Sequence, residues 1–202
     1  MNPSNSNLIS APFALLVERI QQEATVENDR ILKIDHFLNH RIEPAFMTAM
    51  GRALAERIAA FEPDLLLTAE ASGIAPALAT AFALDVPLVY AKKYAPVVEP
   101  PALSRIVPSP TKGGETRLVV AARYLPPGTR VAIIDDFLAN GRTALALAEI
   151  VADAGAVTVA AGFLVEKLFQ HGRQPLTDRV IPVATLAQVQ RLEAGRVIMA
   201  GE

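Results

Sequence analysis

The run Val131-Ala132-Ile133-Ile134-Asp135-Asp136-Phe137-Leu138-Ala139-Asn140-Gly141-Arg142-Thr143 places two adjacent carboxylates between an apolar stretch and a helix-like one. Its first four residues, mostly β-branched, read as a strand covered on both faces, while Ala144 to Ala154 spaces its apolar residues at helical intervals. Such a junction is where an open α/β sheet binds ligands. Backbone N–H groups freed at the helix start, from about Asn140 to Thr143, face an anion and carry the positive end of the helix dipole. Gly141 lets the chain approach that anion closely. An isolated Asp-Asp pair after a strand also serves as a turn or cap. Set beside an amide-lined pocket, the pair becomes a layout for gripping a phosphorylated sugar.

Three further groups of residues carry chemical options. Ala71-Ser72-Gly73 precedes a second helical stretch and offers either a second amide-lined anion site or ordinary capping. Lys92-Lys93 follows a strand, where a lysine pair also serves as solvated edge charge. His36 and His40 are spaced to share a helix face, but Phe37 stands where a zinc protease has glutamate and no third ligand is evident, so zinc is rejected. Neither a Gly-x-Gly-x-x-Gly nor a Walker A run occurs, which argues against dinucleotide oxidoreductases and nucleotide triphosphatases.

The elements that must position these residues are legible in the apolar pattern. Phe13, Leu16, Val17 and Ile20 predict a short amphipathic helix from Pro12 to about Glu23. Ile31 to Ile34 reads as a strand, and Asp35-His36-Phe37-Leu38-Asn39-His40-Arg41 as a binding loop. Pro44 suits the first turn of a helix whose face of Met47, Met50, Leu54, Ile58 and Phe61 ends before Pro63. The methionines read as core. Leu65 to Ala69 is a second strand, followed by a helix with Ile74, Ala77, Leu78, Ala81 and Phe82 inward, then a third strand from Pro87 to Ala91. This spacing implies a right-handed parallel crossover, repeated from Val131 to Val165. The expected fold is doubly wound α/β with a mostly parallel sheet flanked by helices. Glu70 to Gly73, Lys92-Lys93 and Asp135 to Thr143 would then meet at the carboxyl ends of the strands. Between Lys93 and Arg117, Pro96, Pro100, Pro101, Pro108 and Pro110 accompany Gly113-Gly114 without sustained periodicity. Residues 93–117 therefore read as a flexible flap or as a surface insertion.

With 202 residues the chain can bury one sizeable core, so residues 1–202 are expected to form a single domain with the first ten disordered. A net charge of −2 argues against a nucleic-acid surface, whereas a phosphorylated small molecule needs only a local positive cluster. The absence of cysteine excludes disulfides and thiolate catalysis and fits a reducing compartment, the cytoplasm being the expectation. No Lys or Arg precedes Arg19 and no long apolar run opens the chain, so neither a signal peptide nor a membrane span is expected.

The Asp135 to Thr143 run resembles the phosphoribosyl-pyrophosphate signature of the type I phosphoribosyltransferases. Its core, Asp135-Asp136-Phe137-Leu138-Ala139-Asn140-Gly141, is most similar to the xanthine-using branch, and the likeness extends from about Ile31 to Arg196. The resemblance implies a small hood formed by N- and C-terminal segments, and transfer of a 5-phosphoribosyl group from phosphoribosyl pyrophosphate to xanthine, with pyrophosphate released. It assigns Asp135 and Asp136 to the ribose hydroxyls, directly or through hydrated Mg²⁺, and Ala139, Asn140, Gly141, Arg142 and Thr143 to the 5′-phosphate. Glu70-Ala71-Ser72-Gly73-Ile74-Ala75-Pro76 matches the family's pyrophosphate loop, in which Ala71, Ser72 and Gly73 supply amides. Lys92 and Lys93 match basic residues that reach pyrophosphate, in some relatives across a dimer interface, and a homodimer is implied. Leu32 and Asn39 match purine-contacting positions, and Val165-Glu166-Lys167-x-Phe169 matches the opposite wall with Lys167 and Phe169. Lys167 can only donate, which suits exocyclic oxygens and not the amino group of adenine, while Asn39 can both donate and accept. Hypoxanthine-guanine enzymes of the family carry an acid where Ala139 stands, so their proposed base for the purine proton is missing here. Xanthine ionises readily near neutrality and can dispense with it.

Other bases, namely guanine, hypoxanthine or adenine, are the nearest alternative. Some regulators keep this fold and bind the sugar pyrophosphate without reacting it, but they append a DNA-binding domain. Fewer than about thirty residues precede the first strand and no broad basic stripe is present, which ranks the regulator below the enzyme.

Overall fold

The computed structural model describes residues 10–93, 101–108 and 114–201. In chain order the elements are α1 (Ala14–Glu23), β1 (Thr25–Glu27), β2 (Ile31–Lys33), α2 (Pro44–Ile58), β3 (Leu65–Ala69), α3 (Ile74–Leu84), β4 (Leu88–Ala91), β5 (Ala102–Pro108), β6 (Glu115–Ala121), β7 (Arg130–Leu138), α4 (Arg142–Asp153), β8 (Val157–Lys167), α5 (Gln174–Thr177), β9 (Val183–Glu193) and β10 (Arg196–Met199).

The central sheet has the order β10-β9-β8-β7-β3-β4. All its neighbours pair in parallel except β10, which returns antiparallel along β9. The apolar runs explain why β3 and β7 lie inside. Side chains alternate between the faces of a strand, so a run without polar positions is stable only when both faces are covered. Leu66, Ala132 and Ile134 pack with Met50 and Leu54 of α2 and Ala77 and Ala81 of α3 on one face. Leu65, Leu67, Val131 and Ile133 pack with Leu147, Ile150 and Val151 of α4 on the other. The fold is thus α/β with a mainly parallel sheet between helical layers, as its sequence pattern requires.

A hood closes one end. Leu16 and Ile20 of α1 and Leu32 of β2 share a core with Leu186, Val189 and Leu192 of β9 and Met199 of β10. Phe13 N–H donates to the Leu186 carbonyl at 2.8 Å, tying the start of α1 to β9.

One local expectation changes. Leu78 and Phe82 were assigned to the inner face of α3, yet Phe82 is 79% exposed and the buried face is Pro76, Ala77, Thr80 and Ala81. The close crossing of α2 and α3 decides this: a Cβ on Gly51 would lie 2.5 Å from the Ala79 Cβ, and such proximity admits only small residues. The proline-rich 93–117 segment contains regular structure, for β5 and β6 pair antiparallel from Ala102↔Ala121 to Pro108↔Glu115. Residues 94–100 and 109–113 of that segment lie outside the described residues. Of the first ten residues, only Ser10 is described, and its hydroxyl receives a hydrogen bond from Arg173 at 3.2 Å.

Candidate functional site

β7 runs on past its apolar residues to Leu138, so both aspartates belong to the strand end and point to opposite sides. Asp135 faces the β3–α3 loop: a Cβ on Gly73 would collide with both the Asp135 carboxylate and the Thr68 hydroxyl. Asp136, 6% exposed, faces the hood and accepts a 2.7 Å hydrogen bond from Asn39 Nδ2. Backbone amides reinforce the pair, with Asp136 N–H donating to Asp135 Oδ1 and Phe137 N–H to Asp136 Oδ1, each at 2.9 Å. Loss of water and then repulsion from Asp136 push the Asp135 carboxyl well above the usual carboxylate range, and Lys93 offsets this only in part.

After β7 the chain turns at Gly141 with φ of 76°, a conformation that favours glycine, and enters α4. Asn140 Oδ1 accepts the Arg142 amide at 3.1 Å, so this amide is already engaged in an Asx turn. One cleft is lined by Ser72, Lys93, Asp135, Asp136 and the whole Ala139 to Thr143 loop, together with Ala69, Phe137 and Phe163. Seven of the positions expected to hold a sugar diphosphate by resemblance, outside the two aspartates, therefore share one concavity: Ser72, Lys93, Ala139, Asn140, Gly141, Arg142 and Thr143. Ala71 and Gly73 flank Ser72 in the turn between β3 and α3, where the Ala71 carbonyl accepts the Ile74 amide at 3.2 Å. Lys92 is placed differently, its backbone bridging Val119 of β6 in both directions at 2.9 Å. The lysine inside the cleft is Lys93, whose amide donates to Glu70 Oε1 at 2.5 Å.

Of the purine-wall candidates, Asn39 bonds to Asp136 and Lys167 lies within reach of its charge. Phe37 and Leu38, fully buried, anchor the loop that presents Asn39. Arg19 of α1 locks this loop from behind, stacking 4.8 Å from the Phe37 ring centroid and 4.7 Å from that of Phe46 while forking onto Glu43 at 2.6 and 2.8 Å. Lys167 Nζ lies 4.8 Å from the Phe137 ring centroid. Burial pulls the Lys167 ammonium below the usual lysine range, and Asp136 partly opposes the shift. Phe169 packs half-buried against the hood core, and Leu32 lies within that core. His36, the rejected zinc ligand, meets Glu23 at 3.5 Å and Phe37 edge-on.

Three contributors escape the sequence pattern. Phe137 appears in the motif as a strand residue, yet it forms the floor under Lys167. Phe163 lines the cleft from β8 without any local signal. The Thr68 hydroxyl, fully buried, lacks a hydrogen-bond partner beneath the β3–α3 loop, where a polar group is costly unless something satisfies it. Among the described residues no group of three or more His, Asp or Glu side chains forms a metal cage. Two neighbouring carboxylates are nevertheless the kind of partial oxygen donor set that Mg²⁺ shares with a substrate's phosphates.

Comparison with known proteins identifies the family. A xanthine phosphoribosyltransferase of Chloroflexus aurantiacus is 58% identical over 190 residues, covering 94% of this chain and 90% of that protein. Another from Moorella thermoacetica is 45% identical over 91% of this chain and 94% of its own length. Among solved structures, adenine phosphoribosyltransferase of Rhodothermus marinus superposes with a TM-score of 0.71 at 26% identity, over 87% of this chain and 99% of that one. The enzyme of Trypanosoma brucei, at 19% identity, shares the fold with a TM-score of 0.73 over 89% of this chain and 81% of its own. Residues 39–180, which span the Asn39 loop, both anion loops and the Lys167 wall, match the phosphoribosyl transferase domain, and the chain belongs to that family.

Proposed function

We propose that this protein transfers the 5-phosphoribosyl group of phosphoribosyl pyrophosphate to xanthine, giving xanthosine 5′-phosphate and pyrophosphate in purine salvage. The observation that carries this is the 2.7 Å hydrogen bond from Asn39 to Asp136, with the Lys167 ammonium within electrostatic reach of the same carboxylate, so that both purine-wall candidates lie near the sugar carboxylates. The identities of 58% and 45% to enzymes named for xanthine support the same base.

In the reaction the bond from the anomeric carbon to pyrophosphate breaks as a bond to a purine nitrogen forms, through a transition state with positive charge on the sugar. Asp135 and Asp136 place negative charge beneath that centre and hold the ribose hydroxyls. The 139–143 loop fixes the 5′-phosphate, and Ser72, its neighbours Ala71 and Gly73, and Lys93 receive the departing pyrophosphate. Positioning supplies most of the acceleration. Mg²⁺, bound with the donor near Asp135 and Asp136, would neutralise leaving-group charge. Ala139 offers no base for the purine proton, so xanthine reacts as the anion it already forms in solution.

The proposal extends to a homodimer and a cytoplasmic location. Among the described residues no helix is long and apolar enough to cross a membrane. Sedimentation of the purified protein checks the first and fractionation the second. The 93–117 segment remains proposed as a flap, and among its described residues β5 pairs antiparallel with the start of β6.

The decisive experiment is turnover with xanthine, guanine, hypoxanthine and adenine under one set of conditions. Xanthine is expected to give the highest kcat/KM; predominant adenine turnover would refute the base assignment and leave the sugar site standing.

A further inference from the structure

Beyond the motif residues, the 168–173 loop touches the 5′-phosphate cradle from outside. We propose that this loop is a brace for the 139–143 loop, with Gly172 as its contact point and the Arg173–Glu166 pair as its anchor. The proposal rests on the reading of residues 139–143 as the phosphate cradle.

The contact is backbone against backbone. A methyl group on Gly172 would have Ala139 O, Gly141 N at 2.7 Å and Ala139 C at 3.0 Å as its three nearest neighbours. Reciprocally, a methyl on Gly141 would run into Gly172 O, with Gly172 C and Cα at 3.2 Å. Gly172 is buried and lies outside the left-handed region, so glycine is required there for proximity and not for backbone conformation. Any added atom must displace the cradle.

The anchor follows immediately. Arg173 forks onto Glu166, Nε to Oε1 at 2.9 Å and Nη2 to Oε2 at 2.5 Å, and donates from Nη1 to the Val183 carbonyl at 2.9 Å. Gln188 of β9 donates to the same carboxylate at 2.8 Å. Glu166 is 2% exposed and its carboxylate oxygens are taken up by these donors, and the planar guanidinium fork fixes the height of the loop above β8 and β9. Between anchor and contact lies Phe169, and Lys167 directly follows Glu166 in β8. One short segment therefore holds the cradle in register with the purine wall. Gly172 and Arg173 are positioning residues, since each acts through the loop it supports.

The test is calorimetric binding of two probes, ribose 5-phosphate and inorganic pyrophosphate, to Gly172→Ala, Arg173→Lys and Thr143→Val. In Gly172→Ala, ribose 5-phosphate should weaken about tenfold or more while pyrophosphate stays within about twofold, because a displacement near 1 Å affects only the loop displaced. Arg173→Lys keeps the charge but loses the fork, and should show the same selectivity at smaller size. Unchanged ribose 5-phosphate affinity in Gly172→Ala, or equal loss of both probes, overturns the brace. Should that variant fail to fold, Arg173→Lys decides by the same two readouts. Thr143→Val separates the two readings: weakened ribose 5-phosphate there but not in Gly172→Ala removes the brace alone, whereas no effect in either removes the cradle and the brace together.

Discussion

Asp135 shows how a functional group burdens the fold that carries it. Its carboxyl is raised above its unfolded value by lost hydration and by Asp136, so the folded state binds this proton more tightly than the unfolded chain. The associated stability is complete below the ordinary aspartate range and is lost as pH rises through the raised value. At neutral pH the aspartate costs stability, and Asp135→Asn should abolish transfer while raising Tm. A gain of about 1 kcal/mol would read as about 2–4 °C, and the gap to the parent protein should close on acidification below about pH 4. A melting series from pH 4 to 8 checks the sign; a lower Tm at pH 8 would show that Asp135 is structural. Lys167 gives the complementary limb in kinetics. Burial lowers its pKa, so the donating ammonium disappears at lower pH than an exposed lysine would. The kcat/KM for xanthine should rise as free xanthine deprotonates and fall again through the lowered lysine pKa. Lys167→Met should remove the alkaline fall; a profile that ignores xanthine ionisation would contradict the anion mechanism.

Elements bring such residues together with different degrees of legibility. β3 and β7 were readable because buried parallel strands leave unbroken apolar runs, and α2 because Met47, Met50, Leu54 and Ile58 keep one face. The ends of these elements were less so: Asp135 and Asp136 look like a loop in sequence but extend β7, since β8 pairs alongside up to Leu138↔Glu166. The β5–β6 pair was hidden because its exposed positions and flanking prolines break the alternation a hairpin normally shows. α3 misled in a more physical way. Its apolar residues cover more than one face, and only the closeness of Gly51 to Ala79 shows which face is inside. Gly51→Ala should therefore destabilise by about 1–3 kcal/mol, as overpacking does, with kcat of the folded fraction within about twofold of the parent. Denaturant unfolding measures the first and active-site-normalised turnover the second. Unchanged stability would mean that the two helices separate without cost.

At the scale of the whole molecule, the site exists only where independent parts converge. The two sheet faces are packed by separate cores, and the cleft draws Ser72 and Lys93 from the β3 and β4 ends, the aspartates from β7 and the cradle from the start of α4. Asn39 reaches Asp136 across 97 positions of sequence, joining the hood to the sheet at the reacting centre. Each of these segments was recognisable in sequence by its own signal, but their common destination follows from chain topology, because parallel strands put all their carboxyl ends on one edge. A donor that touches every segment can bind only the assembled state and should stabilise the entire fold. At a hundredfold excess over its dissociation constant, phosphoribosyl pyrophosphate with Mg²⁺ contributes about 2.7 kcal/mol, or about 5–10 °C in Tm for a chain of this size. Asp136→Asn, which removes charge from the point where hood and sheet meet, should retain its own cooperative melt but lose most of that ligand-induced rise. A full rise in this variant would show that the donor is held without Asp136, and an absent rise in the parent would show that these segments do not form its site.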